Sequence, residues 1–212
     1  MSGGMSGDGI SAGVTPHVAP EDQARAEFYA LLARLWYAAP GRALLRAIAE
    51  SGGIEAEGEQ QALAEAWGEL RAAAAAADPD TVRDEYDTVF VGTGRAEVSL
   101  YASHYVVATA RERVVVALRD ELSELGLARA VATHEPEDHL SALLEIMRHL
   151  VSSGSADAAL QRQTKFFTAY VKPAYNPLTA KVMASTKTSF YRYVASFTKA
   201  FCDVEAASLE MV

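Results

Sequence analysis

The chain has 212 residues, half of them apolar, which suits one compact domain or one domain with two lobes and supplies a sizeable core. Its net charge of -9 repels nucleic acid phosphates, no run of Lys and Arg makes a local exception, and the balance favours basic partners such as peptides with paired arginines. The single cysteine, Cys202, excludes an internal disulfide, an Fe–S cluster and a thiol-rich zinc site; set among aromatic residues, it reads as a buried, inert thiol in a reducing compartment.

Residues 1–20 are rich in Gly and Ser, with no apolar or basic stretch of the kind a secretory signal needs, and read as a disordered tail. No apolar stretch reaches membrane-spanning length, so no stable membrane insertion is expected. Phe28, Leu31, Leu32, Leu35 and Trp36 recur at helical spacing, and Pro40-Gly41 ends that helix. Leu44, Leu45 and Ile48 mark a short second helix, stopped by Gly52-Gly53. Leu63, Trp67 and Leu70 lead into the run Ala72 to Ala77, which is helix-forming, and Asp78-Pro79 stops it.

A fourth helix carries Val82, Tyr86, Val89 and Phe90 and breaks at Val91-Gly92-Thr93-Gly94. An ordered loop is expected from there to Tyr101, and a long helix from Ser103 through Val107, Val114, Leu118, Leu122 and Leu125 to Gly126. Residues 127–134 have no period and read as a hinge. The pattern then predicts a helix starting at Pro136, with Leu140, Leu143, Leu144, Met147, Leu150 and Val151 on one face. Another runs through Leu160, Phe167 and Tyr170 and stops near Pro173, and a last one starts near Pro177 and holds Phe190, Val194, Phe197 and Phe201. With no sustained period-two alternation, the fold class is all-α: one helical domain over 21–212, with an N-lobe at about 21–126 and a C-lobe at about 135–210.

The segment His134-Glu135-Pro136-Glu137-Asp138-His139 is the most informative. Glu137 and Asp138 fall in the expected first turn, where the helix dipole favours acids, so both read simply as a helix start. The dipole does not favour a protonated imidazole there, so His139 reads either as a core histidine bonded to the preceding loop or as a functional group. His134, Glu135, Asp138, His139 and His149 could ligate a metal in principle, but their spacing matches no HExxH pattern, and no metal is expected. Gly92-Thr93-Gly94 lacks the preceding strand and the Gly-Lys-Ser/Thr of a phosphate loop, and reads as a glycine turn. Tyr86, Phe90, Tyr101 and Tyr105 group around that turn; packing accounts for the first two, and tyrosines flanking a loop can also line an apolar groove with polar tips. No arrangement for nucleophilic catalysis presents itself.

Glu85-Tyr86-Asp87-Thr88-Val89-Phe90-Val91-Gly92-Thr93-Gly94 resembles the Tyr/Phe-x-x-Leu-Phe-x-Gly-Pro-Gly element of the TorD/DmsD/NarJ chaperones. Ser103 and Tyr105 resemble the Ser-x-Tyr that follows it, and Glu135, Pro136, Asp138 and His139 resemble that family's Glu-x-Pro-x-Asp-His element. Residues 166–201 are similar to its C-terminal helices, and the likeness runs in order from Glu21 to Leu209. Thr93 stands where the family often has proline, Ser99-Leu100 where prolines are common, and Val171 where tryptophan is common, which leaves the client open.

The resemblance implies a two-lobed helical chaperone of the cytoplasm, a monomer or homodimer, with no catalysis and no cofactor of its own. It implies binding to the apo catalytic subunit of a molybdopterin-containing respiratory oxidoreductase, or to its twin-arginine signal peptide, to assist cofactor insertion before export. Arg pairs bidentately with carboxylates, so Glu135 and Asp138 are expected to supply charge, with His139, Pro136 and Ser103 beside them and Tyr86, Phe90, Tyr101 and Tyr105 lining the groove. The rival is a helical ligand-responsive transcription regulator. It needs a basic recognition helix, whereas the segment from Arg42 to Ala77 carries Glu50, Glu55, Glu57, Glu59, Glu65 and Glu69.

Overall fold

A computed structural model describes residues 19–56, 58–92, 94–106, 111–124, 137–154 and 156–211. They form α1 (Pro20–Tyr37), α2 (Arg42–Glu50), α3 (Gln61–Ala76), α4 (Pro79–Tyr86), α5 (Arg111–Glu124), α6 (Leu140–Ser152), α7 (Asp157–Phe166), α8 (Lys172–Ala184) and α9 (Tyr191–Glu210). The fold is all-α, and the described residues include no strand. The expected hinge at 127–134 lies outside the described residues.

Helix α1 begins with Pro20, whose fixed φ is already helical, and its buried residues Tyr29, Leu32, Ala33 and Trp36 repeat at three and four, forming one stripe. That stripe packs on α6 and α9; α9 also packs on α8 and α3. The buried side chains of both halves of the chain join one cluster, in which Trp36, Tyr29, Tyr191, Phe166 and Phe197 are the largest fully buried ones. Each such side chain contributes about 1.5–3 kcal/mol of hydrophobic stabilisation. Phe28 is half-buried and meets Trp67 and Phe197 edge to face, at ring distances of 5.4 and 5.2 Å.

Buried polar groups fix the register of these packed helices. The Arg25 guanidinium donates to both oxygens of Glu205, at 2.7 and 2.8 Å, and also reaches Asp22 and Gln163. The Tyr29 hydroxyl donates to the same carboxylate at 2.8 Å. Burial would lower the Arg25 pKa, but the hydrogen bond to Glu205 and its charge outweigh burial and hold it above the usual value. Burial, then Glu205, pushes the Tyr29 phenol well up, so it stays a donor. At the other end of α9, Glu85 accepts from the Phe190 and Tyr191 amides at 3.0 and 2.7 Å and from the Ser189 hydroxyl. A carboxylate there suits the positive end of the helix dipole.

Several helix boundaries differ from the sequence reading. The helix expected to stop near Pro173 continues from Asp157 to Ala184, because a π-turn at Phe167–Val171 joins α7 to α8. The Lys172 amide donates to the Phe167 carbonyl, five residues back, which widens the turn just before a residue with no amide to satisfy. The last helix starts at Tyr191 and not near Pro177, since Pro177 lies inside α8. The long helix expected from Ser103 is interrupted: Ala102–Tyr105 is one 3₁₀ turn, Val106 is extended, and α5 starts at Arg111. Glu121 of α5 binds Lys165 and the Tyr170 hydroxyl, which ties α5 to α7 and the π-turn.

Glu205→Ala removes the acceptor of a mostly buried guanidinium and a fully buried phenol. It is expected to cost about 3 kcal/mol, read as a lower midpoint in urea unfolding. A wild-type midpoint would mean that the Arg25–Glu205 pair contributes nothing to stability.

Candidate functional site

The residues singled out by sequence divide into two groups in space. Tyr86 and Phe90 belong to the core. Asp78 caps α4 through the Asp80 and Thr81 amides, and the helix then widens into a π-turn at Asp87–Val91. This carries Tyr86 and Phe90 into a ring cluster with Trp36 and Tyr191. The Tyr86 hydroxyl reaches the Trp36 and Tyr37 carbonyls, the last turn of α1, at 3.1 and 2.8 Å. Gly92 closes the π-turn at φ +63, where a Cβ would lie 2.5 Å from the Arg95 carbonyl oxygen, so the turn requires glycine.

The second group converges. The Val98 amide donates to the Val89 carbonyl, which returns the loop to the π-turn after α4. Two residues on, the chain pairs with the segment before α6: Leu140 donates to Leu100 and Ala102 to Asp138, both at 2.8 Å, making an antiparallel bridge between Tyr101 and His139. The Asp138 carboxylate accepts from the Ser103 amide at 3.1 Å, where the 3₁₀ turn leaves that donor unpaired. The Tyr101 and His139 rings meet edge to face at 5.3 Å. Tyr105 reaches back to the Ser99 carbonyl at 2.6 Å. Tyr101, Ser103, Asp138 and His139 therefore form one junction, with Tyr105 on its flank. Glu135 and Pro136 lie outside the described residues, as does His134.

This geometry corrects the expected helix start. Helix α6 begins at Leu140, and His139 is its N-cap, extended at φ -64 and ψ 135. Its Nδ1 accepts from the Ser141 amide at 3.2 Å, so that nitrogen carries no proton. A neutral imidazole can cap where a protonated one cannot, which is why the dipole argument against His139 as a cap fails. Asp138 and His139 are only 3% and 5% exposed. Glu137 pairs with Arg119 of α5 at 3.2 Å.

The surface beside the junction is basic. Burial lowers the His104 pKa, and Lys181, Arg111 and Arg95 lower it further. The Lys181 ammonium lies 4.9 Å over the Tyr105 ring. Burial raises the Tyr105 phenol. Arg95, His104, Lys181 and Lys187 have no motif spacing and were not legible in sequence; nor was the capping role of Glu85, although it opens the family element. Cys202 is fully buried, and burial raises its thiol. Among the described residues, no group of three or more His, Cys, Asp or Glu side chains could hold a metal ion.

The model of the nitrate reductase delta subunit family matches residues 56–180. The chain belongs to this family. It is a family of molybdoenzyme maturation chaperones. No curated protein matches the chain. The family match takes in the Tyr101–His139 junction, while α1, α2 and α9 fall outside it.

Asp138→Ala removes the acceptor of the Ser103 amide and is expected to cost about 1–2 kcal/mol, seen as a melting temperature lowered by a few degrees. Asp138→Asn keeps an acceptor and should lose less. Equal melting of all three proteins would show that the cap is idle.

Proposed function

We propose that the chain binds the apo catalytic subunit of a molybdopterin-containing respiratory oxidoreductase, through its twin-arginine signal peptide, its mature body or both. It holds that subunit in the cytoplasm for cofactor insertion and assembly before export, and catalyses no reaction itself. The family match over residues 56–180 is the observation that carries this reading. Among the described residues, no helix is long and apolar enough to cross a membrane.

The proposed contact surface is built on the junction. Tyr101, Ser103 and Tyr105 are part-exposed and supply the contact. Glu135 and Pro136, which lie outside the described residues, are proposed to take part as well. Tyrosines that present an apolar ring and a polar tip suit such a surface. Asp138 and His139 shape it from beneath, since the first caps the 3₁₀ turn and the second caps α6. Tyr86 and Phe90 act as its backing, fixing the near end of the loop in the core. The chain presents this surface as a monomer or a homodimer.

The test is co-purification of the chain from its native host, with client activity measured in cells carrying Tyr101→Ala or Tyr105→Ala. A molybdoenzyme catalytic subunit should co-purify with the wild type, and client activity should fall at least several-fold in variants that remain folded by thermal melting. Folded variants that mature the client normally would place the contact elsewhere. Failure to recover any molybdoenzyme subunit with the wild type would overturn the functional reading.

A further inference from the structure

The loop from Gly94 to Tyr105 faces the C-terminal half of α8 and the turn after it across a cleft of about 460 Å³. Thr88, Arg95, Ser99, His104, Lys181 and Lys187 line it. Among the described residues, the one carboxylate of the lining is Glu97, and it is already neutralised: Lys187 pairs with it at 2.7 Å, and the Ser185 hydroxyl donates to it at 2.5 Å. Both contacts hold the Glu97 pKa below its usual value. Arg95 and Lys181 make no ion pair with any described residue. A protein of net charge -9 therefore carries a concave basic site with its one anion spent.

We propose that this cleft binds a small phosphate-bearing anion, whose oxygens are taken by Arg95 and Lys181, with the Thr88 and Ser99 hydroxyls and the His104 ring as further donors. A cleft of several hundred cubic ångströms is the size of a small-ligand site, roughly 300–1,000 Å³. Arginine offers a planar fork matched to phosphate, and lysine a compact charge beside it. The Ser99 oxygen accepts from the Tyr101 amide, which leaves its proton to donate. Burial is the main cause of the lowered His104 pKa, and the charges of Lys181, Arg111 and Arg95 add to it. The ligand is a small anion and so differs in kind from the client, and its binding is measurable with no client present.

The experiment is calorimetric titration of the full-length chain with inorganic pyrophosphate, and separately with inorganic phosphate, at low and at moderate salt. Expected is saturable one-site binding that weakens as salt rises. Arg95 and Lys181 are both exposed, so Arg95→Glu and Lys181→Glu should melt like the wild type. Each should weaken binding about tenfold or more, through the loss of a charge-assisted contact and its reversal. Binding of inorganic phosphate with the same dependence on the two variants also supports the site and narrows the ligand to one phosphate group. Absence of saturable binding of either anion at low salt overturns the proposal, and so does undiminished binding by the double variant.

Discussion

The structure depends on buried carboxylates that each join parts of the chain far apart in sequence. Glu205 holds Arg25 and Tyr29 of α1 from the last helix, Glu85 holds the first amides of α9, and Asp138 holds the 3₁₀ turn at Ser103. A buried carboxylate without partners would cost several kcal/mol, so each one permits only the packing that supplies its donors. Apolar stripes alone allow neighbouring helices to slide and rotate, since hydrophobic contact is not directional. In a chain with no disulfide, these charged groups turn a bundle of amphipathic helices into one arrangement.

The fold class was legible because period 3.6 is written in bulky residues: Tyr29, Leu32, Ala33 and Trp36 face inward as their spacing says. The alanine run Ala72 to Ala77 also reads correctly, with Ala76 the last residue of α3 and Ala77 its cap. Errors came where a local rule met tertiary context. Pro173 should stop a helix, but a π-turn before it removes the clash, and the apolar contacts of Phe167, Val171 and Tyr175 carry the helix onward. Pro136 looked like a helix start, and the start came at Leu140, where the His139 side chain caps the helix through the Ser141 amide.

The candidate site was legible in part. The family elements identified Ser103, Tyr105, Asp138 and His139, and the aromatic grouping added Tyr101; the structure brings these together, yet no spacing rule says that two loop segments will pair by backbone. Tyr86 and Phe90 carry the same signature and lie in the core, because an aromatic pair at helical spacing serves packing as readily as recognition. The basic cleft was invisible for a different reason. Arg95, His104, Lys181 and Lys187 come from two segments some eighty residues apart, and a net charge of -9 hides a local excess of cations. Only the fold of the loop against α8 assembles them.

The Arg25–Glu205 contact has a consequence for biosynthesis. It spans 180 residues, and α1 also rests on α6. A chain made from its N-terminus therefore has its first helix finished long before the partners of that helix exist. Until α6 emerges, α1 exposes the stripe from Tyr29 to Trp36 to the surrounding solution, and until α9 emerges Arg25 has only Asp22 nearby in sequence to pair with. Contacts of such long range make closure slow. The newborn chaperone thus passes through an interval in which it presents the same kind of uncovered apolar helix that chaperones shield in others, and its own later helices act as the cover.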